Sequence, residues 1–216
     1  MKNLGLALMG LLMISSTGAF AQMSFGVKAG LNLSNMTLKA GGEKMDDIKF
    51  KPGFNVGAFA DFELSDLLSV EAGMNIETKG YLMKEKYEEY GFKVKTKNTA
   101  NLVYVTIPVD AKLTFGSFYV LAGPYVGIAA AGKVKSKMET DSHTDKHDDS
   151  LDFGSDKKDD LKRLDLGLGL GAGYEINDNL GVRLGYDLGL SNLTPEGDKD
   201  NSSKNGSINI SATYKF

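Results

Sequence analysis

Residues 161–193 read LKRLDLGLGLGAGYEINDNLGVRLGYDLGLSNL. Leu164, Leu166, Leu168, Leu170, Ala172, Tyr174 and Ile176 share one parity, while Asp165, Gly167, Gly169, Gly171, Gly173 and Glu175 share the other. After Asn177-Asp178-Asn179, a short turn, the alternation resumes: Leu180, Val182, Leu184, Tyr186, Leu188 and Leu190 against Gly181, Arg183, Gly185, Asp187, Gly189 and Ser191. A strand sends successive side chains to opposite faces, so this is a β-hairpin with one continuous apolar face and one face that is small or charged. Glycine weakens a solvated strand and marks close approach or tight curvature. A small face suits the inside of a narrow closed barrel, and the apolar face then looks outward into lipid.

The rest of the chain bears on that reading. There is no cysteine, which removes disulfides, a thiolate nucleophile and cysteine-based metal sites. A formal charge of −3 gives no electrostatic case for nucleic acid as a partner. The mean hydropathy of −0.20 is that of a soluble protein, but alternation hides a lipid-facing surface from any average. The first residues read as a secretory signal: Lys2, an apolar core over 4–14 that is too short to span a bilayer, then Ala19-Phe20-Ala21. The expected cut falls between Ala21 and Gln22, leaving 1–21 as signal peptide and 22–216 as one barrel domain.

Alternation predicts strands at 24–34, 53–64, 67–82, 102–115 and 118–133, the hairpin's two, and 206–216. In 118–133 both parities are apolar or small, so its facing stays open. Pro108 is expected to mark a local bulge. The charged stretch 84–98 is able to extend a hairpin beyond the membrane, and 133–162 reads as a long flexible loop. Long polar segments follow the first, third, fifth and seventh strands, and short turns follow the second, fourth and sixth. That is the rhythm of an outer-membrane barrel with short periplasmic turns and long outer loops. The expected fold is an all-β, eight-stranded antiparallel up-and-down transmembrane β-barrel. A soluble lipocalin-like barrel would place its apolar face inside.

Five segments carry a resemblance: FGVKAGLNLSN (25–35), VTIPVDAKL (105–113), FYVLAGPYVG (118–127), LGLGLGAGYEI (166–176) and ISATYKF (210–216). Together with the signal peptide they resemble the outer-membrane β-barrel proteins of Bacteroidetes, often labelled porin-family or PorT-like. The resemblance implies an integral protein of the bacterial outer membrane, in a family whose members have varied roles.

The inner parity carries Lys28, Asp61, Glu63, Glu71, Glu77, Asp110, Lys112, Asp165, Glu175, Arg183, Asp187 and Lys215. Buried charges must pair. Arg183 and Lys28 are expected to pair with acids from other strands, in a lumen network with Asp61, Glu71, Glu77, Asp165 and Asp187. Glu63, Asp110, Lys112, Glu175 and Lys215, near the periplasmic end, are expected to be wet. Acids outnumber bases on this face, so some carboxylates must reach water, take protons or bind cations. Tyr81, Tyr104, Tyr119, Tyr125, Tyr174, Tyr186, Tyr214 and Phe216 include candidates for the interfacial aromatic girdles, with Tyr104 assigned instead to the lumen. Tyr214 and the terminal Phe216 look like the signal by which barrel-assembly machinery recognises its substrates.

No catalytic residue, cofactor or metal is assigned. His143 and His147 have helical metal-ligand spacing, but they lie in a segment read as a solvated acidic loop. The glycines at 167, 169, 171 and 173 lack the spacing and the following helix of a dinucleotide loop. The expected partners are outer-membrane lipid and lipopolysaccharide, the assembly machinery and an unidentified extracellular ligand or host surface. The expected function is a non-enzymatic surface protein with a side-chain-filled lumen. A narrow channel for ions or small solutes is the alternative, and a lipid-modifying barrel enzyme a third.

Overall fold

The computed structural model describes residues 23–45, 47–89, 92–140 and 144–216. The signal peptide and its cleavage site at Ala21 and Gln22 lie outside the described residues. Eight long strands make the wall: β1 (Met23–Ala40), β2 (Lys51–Glu63), β3 (Leu68–Glu89), β4 (Phe92–Phe115), β5 (Phe118–Glu139), β6 (Leu164–Glu175), β7 (Leu180–Gly189) and β8 (Ser202–Lys215). Each pairs antiparallel with the next, and β1 pairs with β8 from Gly26↔Lys215 to Lys39↔Ser202, which closes the sheet. Closure gives every backbone group in lipid a partner and leaves no edge there.

The register fixes the shape. Cross-strand partners lead from Met23 through Phe62, Val70, Ala111, Ala122, Leu170, Tyr186 and Ile208, and return to β1 at Leu33. With that stagger and ordinary strand spacings, the strands lean about 40° and the wall radius is about 8 Å. Such a lumen has room for side chains and little else.

The apolar parity faces out. Leu166, Leu168, Leu170, Val182, Leu184, Ile208 and Ile210 are exposed, as are Val105's neighbours Ile107 and Val109. Strand β5 takes its facing from its partners: Tyr119, Leu121 and Tyr125 point in, and Val120, Val126 and Ile128 point out. The glycine face makes room for the aromatic fillers. A Cβ on Gly173 would lie 2.1 Å from Tyr119 Cζ, and one on Gly26 would lie 2.4 Å from Phe59 Cζ.

Turns sit where polar chemistry places them. Asn177 Oδ1 accepts N–H groups from Asn179 and Leu180 at 3.0 and 2.8 Å, closing the β6–β7 hairpin. Gly116, with φ of 61°, turns β4 into β5.

Three expectations are corrected. Pro108 stays in register with Tyr125, and its ring is accommodated opposite Gly73, whose added Cβ would meet Pro108 Cγ at 3.3 Å. The bulge lies instead between Val103 and Tyr104, against Ala129 and Ala131 of β5. Residues 133–162 are not one loop. Strand β5 runs on to Glu139, and Thr144–Ser150 pairs back along it from Glu139↔Thr144 to Lys133↔Ser150. The segment after the first strand likewise holds ladder: β1 reaches Ala40, Glu43–Lys44 pairs with it, and Ile48–Lys49 pairs with β3.

Strand β4 has 24 residues. At that lean it rises about 60 Å, against an apolar band of about 25 Å. The upper parts of β3, β4 and β5, with Thr144–Ser150, therefore rise above the hydrocarbon as a protruding sheet on the long-loop, outer side.

Candidate functional site: the lumen

Two ionic clusters fill the barrel, one toward each end. In the periplasmic cluster Arg183 of β7 donates to Glu71 of β3 through two nitrogens, to Oε1 at 2.6 Å and to Oε2 at 2.7 Å. Its Nε donates to Tyr119 OH at 3.1 Å, and the guanidinium lies over the Phe59 and Tyr119 rings. Lys112 of β4 donates to Asp61 Oδ2 at 2.6 Å and comes within 4.0 Å of both Glu71 and Glu175. Lys215 binds Glu175 and stands 3.8 Å from Asp61. A fork-to-fork arginine–carboxylate pair is the strongest common geometry for two such groups.

In the outer cluster Lys79 of β3 lies 3.2 Å from Glu77 and 3.4 Å from Asp165 of β6. Asp165 also accepts from Asn205 Nδ2 at 2.9 Å, Tyr125 OH at 3.4 Å and Ser191 Oγ at 3.4 Å. The Lys79 ammonium faces the Tyr125 and Tyr104 rings at 4.4 and 5.5 Å.

Between the clusters lies a cavity of about 50 Å³, bordered by Lys28, Asn75, Asp110, Arg183, Asp187 and Asn209 among others. That is space for a few waters. Asn209 Nδ2 donates to Asp187 at 3.1 Å, while Asp110 Oδ1 and Asn75 Oδ1 have no hydrogen-bond partner among the described residues.

Above the outer cluster the mouth is closed by carbon. Met36, Leu102, Tyr104, Ala129 and Leu193 form a buried apolar cluster, with Leu38, Tyr81, Leu151, Phe153 and Leu161 packed against it. Backbone bonds hold the covering loops there: Lys162 N–H to Leu193 O at 2.7 Å, Leu193 N–H to Ser203 O at 2.8 Å and Ala129 N–H to Arg163 O at 2.8 Å.

Of the residues singled out from sequence, Asp61, Glu71, Glu77, Asp165 and Arg183 lie in these ionic clusters. Asp187 borders the cavity and accepts from Asn209. Lys28 borders the cavity but forms no ion pair among the described residues, contrary to expectation: it faces a site wide enough for water. Lys112 and Asp110 are not open to bulk water, contrary to expectation. They are 2% and 5% exposed, because β2, β3 and β5 surround the inner face of β4 down to its lower turn. Glu63 is exposed, and Glu175 and Lys215 are half-buried.

Tyr119 and Tyr125 leave the list of girdle candidates, since both are buried in the lumen. Tyr81 packs against the mouth cluster. Tyr174, Tyr186, Tyr214 and Phe216 are exposed on the outer wall, where Tyr174 meets Phe118 and Tyr214 meets Phe216 with ring centroids 4.8 and 5.5 Å apart. Sequence reasoning missed Lys79, whose parity simply continues that of Glu77. It also missed the mouth cluster, whose Leu151, Phe153, Leu161 and Leu193 are scattered through polar loops. His147 lies in the strand Thr144–Ser150, 3.1 Å from Asp149, and His143 is outside the described residues.

A closed barrel with lipid-facing leucines and a salt-bridged interior defines an integral outer-membrane protein. The family model described as "Outer membrane protein beta-barrel domain" matches residues 20–194, and the chain belongs to that family. No curated protein matches it. Among solved structures it is similar to Ail, the attachment invasion locus protein of Yersinia pestis, at 15% identity and a TM-score of 0.44, over 90% of this chain and 99% of that one. It is also similar to Neisserial surface protein A, at 12% identity and a TM-score of 0.42, over 89% and 97% of the two chains. A third is OprG from Pseudomonas aeruginosa, at 14% identity and a TM-score of 0.37, over 90% and 96%.

Proposed function

We propose that this outer-membrane barrel is a non-enzymatic surface protein, shut to solutes, whose working part is the protruding sheet and loops. One observation carries the reading. The lumen is crossed by the Arg183–Glu71 pair and capped by the Leu193 cluster, so that it is sealed twice along its length. The carboxylates that an enzyme would need as acid and base are largely committed: Asp61, Glu71, Glu77 and Asp165 each hold a cation. The finer kinship, with PorT-like proteins of Bacteroidetes, rests on the five quoted segments. In biogenesis the assembly machinery is the partner proposed for Tyr214 and Phe216, whose rings meet edge to face on the exposed outer wall.

A narrow cation pathway is the second reading, and the waist cavity favours it. Asp110 and Asp187 both border that cavity and neither is ion-paired among the described residues. Conductance of the refolded protein in planar bilayers separates the two. A silent bilayer supports the sealed surface protein. Steady cation-selective current supports the pathway.

A further inference from the structure

The protruding sheet carries a row of lysines in register. Lys84 of β3 pairs with Lys97 of β4, Lys97 with Lys137 of β5, and Lys137 with Lys146 of the strand Thr144–Ser150. One residue pair lower, Lys135 stands between Thr99 and Asp148. All these side chains share one face. The bulge at Val103/Tyr104 shifts the parity of β5 so that its odd residues join the odd residues of β4, the same side as Val103, Val105 and Ile107 below. The lysine face is therefore the upward continuation of the lipid-facing wall.

Like charges directly opposite one another destabilise a ladder. Neighbouring strands are about 4.8 Å apart, so the row spans about 14 Å, and adjacent ammoniums lie well inside the Debye length of about 8 Å. Protein carboxylates relieve part of this. Lys137 binds Glu139, and Lys135 is 3.6 Å from Asp148. Lys84, Lys97 and Lys146 have no ion pair among the described residues. Beside them is a hollow of about 300 Å³ lined by Lys97, Thr99, Lys135, Lys137, Lys146 and Asp148. A row of this kind is completed by a ligand with several negative charges spaced along it.

Its position selects the source. Climbing β4 from Val103 to Lys97 gains about 15 Å, which lifts the row above hydrocarbon and into the zone of glycolipid saccharides. The face looks sideways into the leaflet, not upward into the medium. We propose that this row binds the phosphorylated saccharide of the outer leaflet's own glycolipid, its phosphates bridging Lys97, Lys137 and Lys146 with charge-assisted hydrogen bonds. The site is independent of whether the lumen conducts.

The test uses the refolded full chain in neutral maltoside micelles. Native mass spectrometry counts bound rough-type lipooligosaccharide, its chemically dephosphorylated form, and inorganic polyphosphate. The expected result is retention of the phosphorylated glycolipid about tenfold tighter than the dephosphorylated one, with a similar loss in Lys97→Gln/Lys146→Gln. Lys157→Gln/Lys158→Gln, in a separate loop, should bind as the parent does. Heat-modifiable gel migration confirms that each variant is folded. Equal retention of the two glycolipids, or unchanged binding by Lys97→Gln/Lys146→Gln, overturns the proposal. So does polyphosphate binding that matches or exceeds glycolipid binding at these lysines, because the ligand would then be a soluble polyanion.

Discussion

Arg183 and Glu71 stand on β7 and β3, which face each other across the barrel, and their side chains meet in its centre through two hydrogen bonds of 2.6 and 2.7 Å. The pair is a strut across the diameter. It ties together strands that share no backbone hydrogen bond.

Removing one end leaves the other charge buried and unpaired. Arg183→Met should therefore lower unfolding stability by about 3–5 kcal/mol. Arg183→Met/Glu71→Leu should recover most of that loss, since neither charge remains. Urea unfolding in lipid vesicles, followed by gel mobility, checks both. A double variant as unstable as the single one would show that the strut is not what holds these strands.

Gly173 and Tyr119 are a size-matched pair. With a Cβ on Gly173 only 2.1 Å from the Tyr119 ring, and that ring held by Arg183, Gly173→Val should fold poorly. Adding Tyr119→Ala should restore folding yield, because the clash partner is gone. Refolding yield in vesicles reads this out, and no rescue would place the cost in the strand and not in the ring.

The mouth closure depends on Leu193. Leu193→Ala removes buried methyls and should cost the loop's docking about 2–5 kcal/mol. Hydrogen exchange at the amides of Lys162 and Leu193 should quicken, while that of the mid-membrane strands stays slow. Unchanged protection would mean that the backbone bonds to Leu193 and Ser203 suffice alone.

One surface loop has a pH-dependent clasp. Asp198 lies in the β7–β8 connection, and its carboxylate accepts N–H groups from Asn201 at 2.8 Å and Asp200 at 3.0 Å. Those bonds hold its pKa below the usual carboxylate value. A depressed acid pKa contributes order that is fully present above the unfolded value and is lost as pH falls through the folded one. NMR titration should find Asp198 titrating below an ordinary aspartate, with the Asn201 amide shifting in step. Asp198→Asn should remove that step.

The sequence made the wall legible because each membrane strand has two different environments. Leu164 to Ile176 alternates because one side meets lipid and the other a tight polar lumen. The protruding sheet was not legible in that way. After the bulge the outer parity of β5 turns from apolar to charged, with Lys133, Lys135, Lys137 and Glu139 against Val134, Ser136 and Met138, so the apolar outer run stops although the ladder continues. Inner-face residues could be named by parity, but not their partners. The meeting of Arg183 with Glu71, and the failure of Lys28 to pair, depend on the stagger around the barrel. No single strand encodes that stagger. The mouth cluster escaped because Leu151, Phe153, Leu161 and Leu193 come together only after two loops fold over the opening.

In this barrel the leucine parity meets lipid and the glycine-and-charge parity fills the lumen. The absence of cysteine allows a direct measurement: single cysteines at Val182, Leu184, Tyr186 and Leu188, spin-labelled, in the protein refolded into vesicles. Collision with membrane-dissolved oxygen and with a water-soluble nickel chelate is then compared. Oxygen should dominate at all four sites, most strongly at Leu184. Dominance of the nickel chelate, or burial from both reagents, would contradict this facing and turn the sheet inside out.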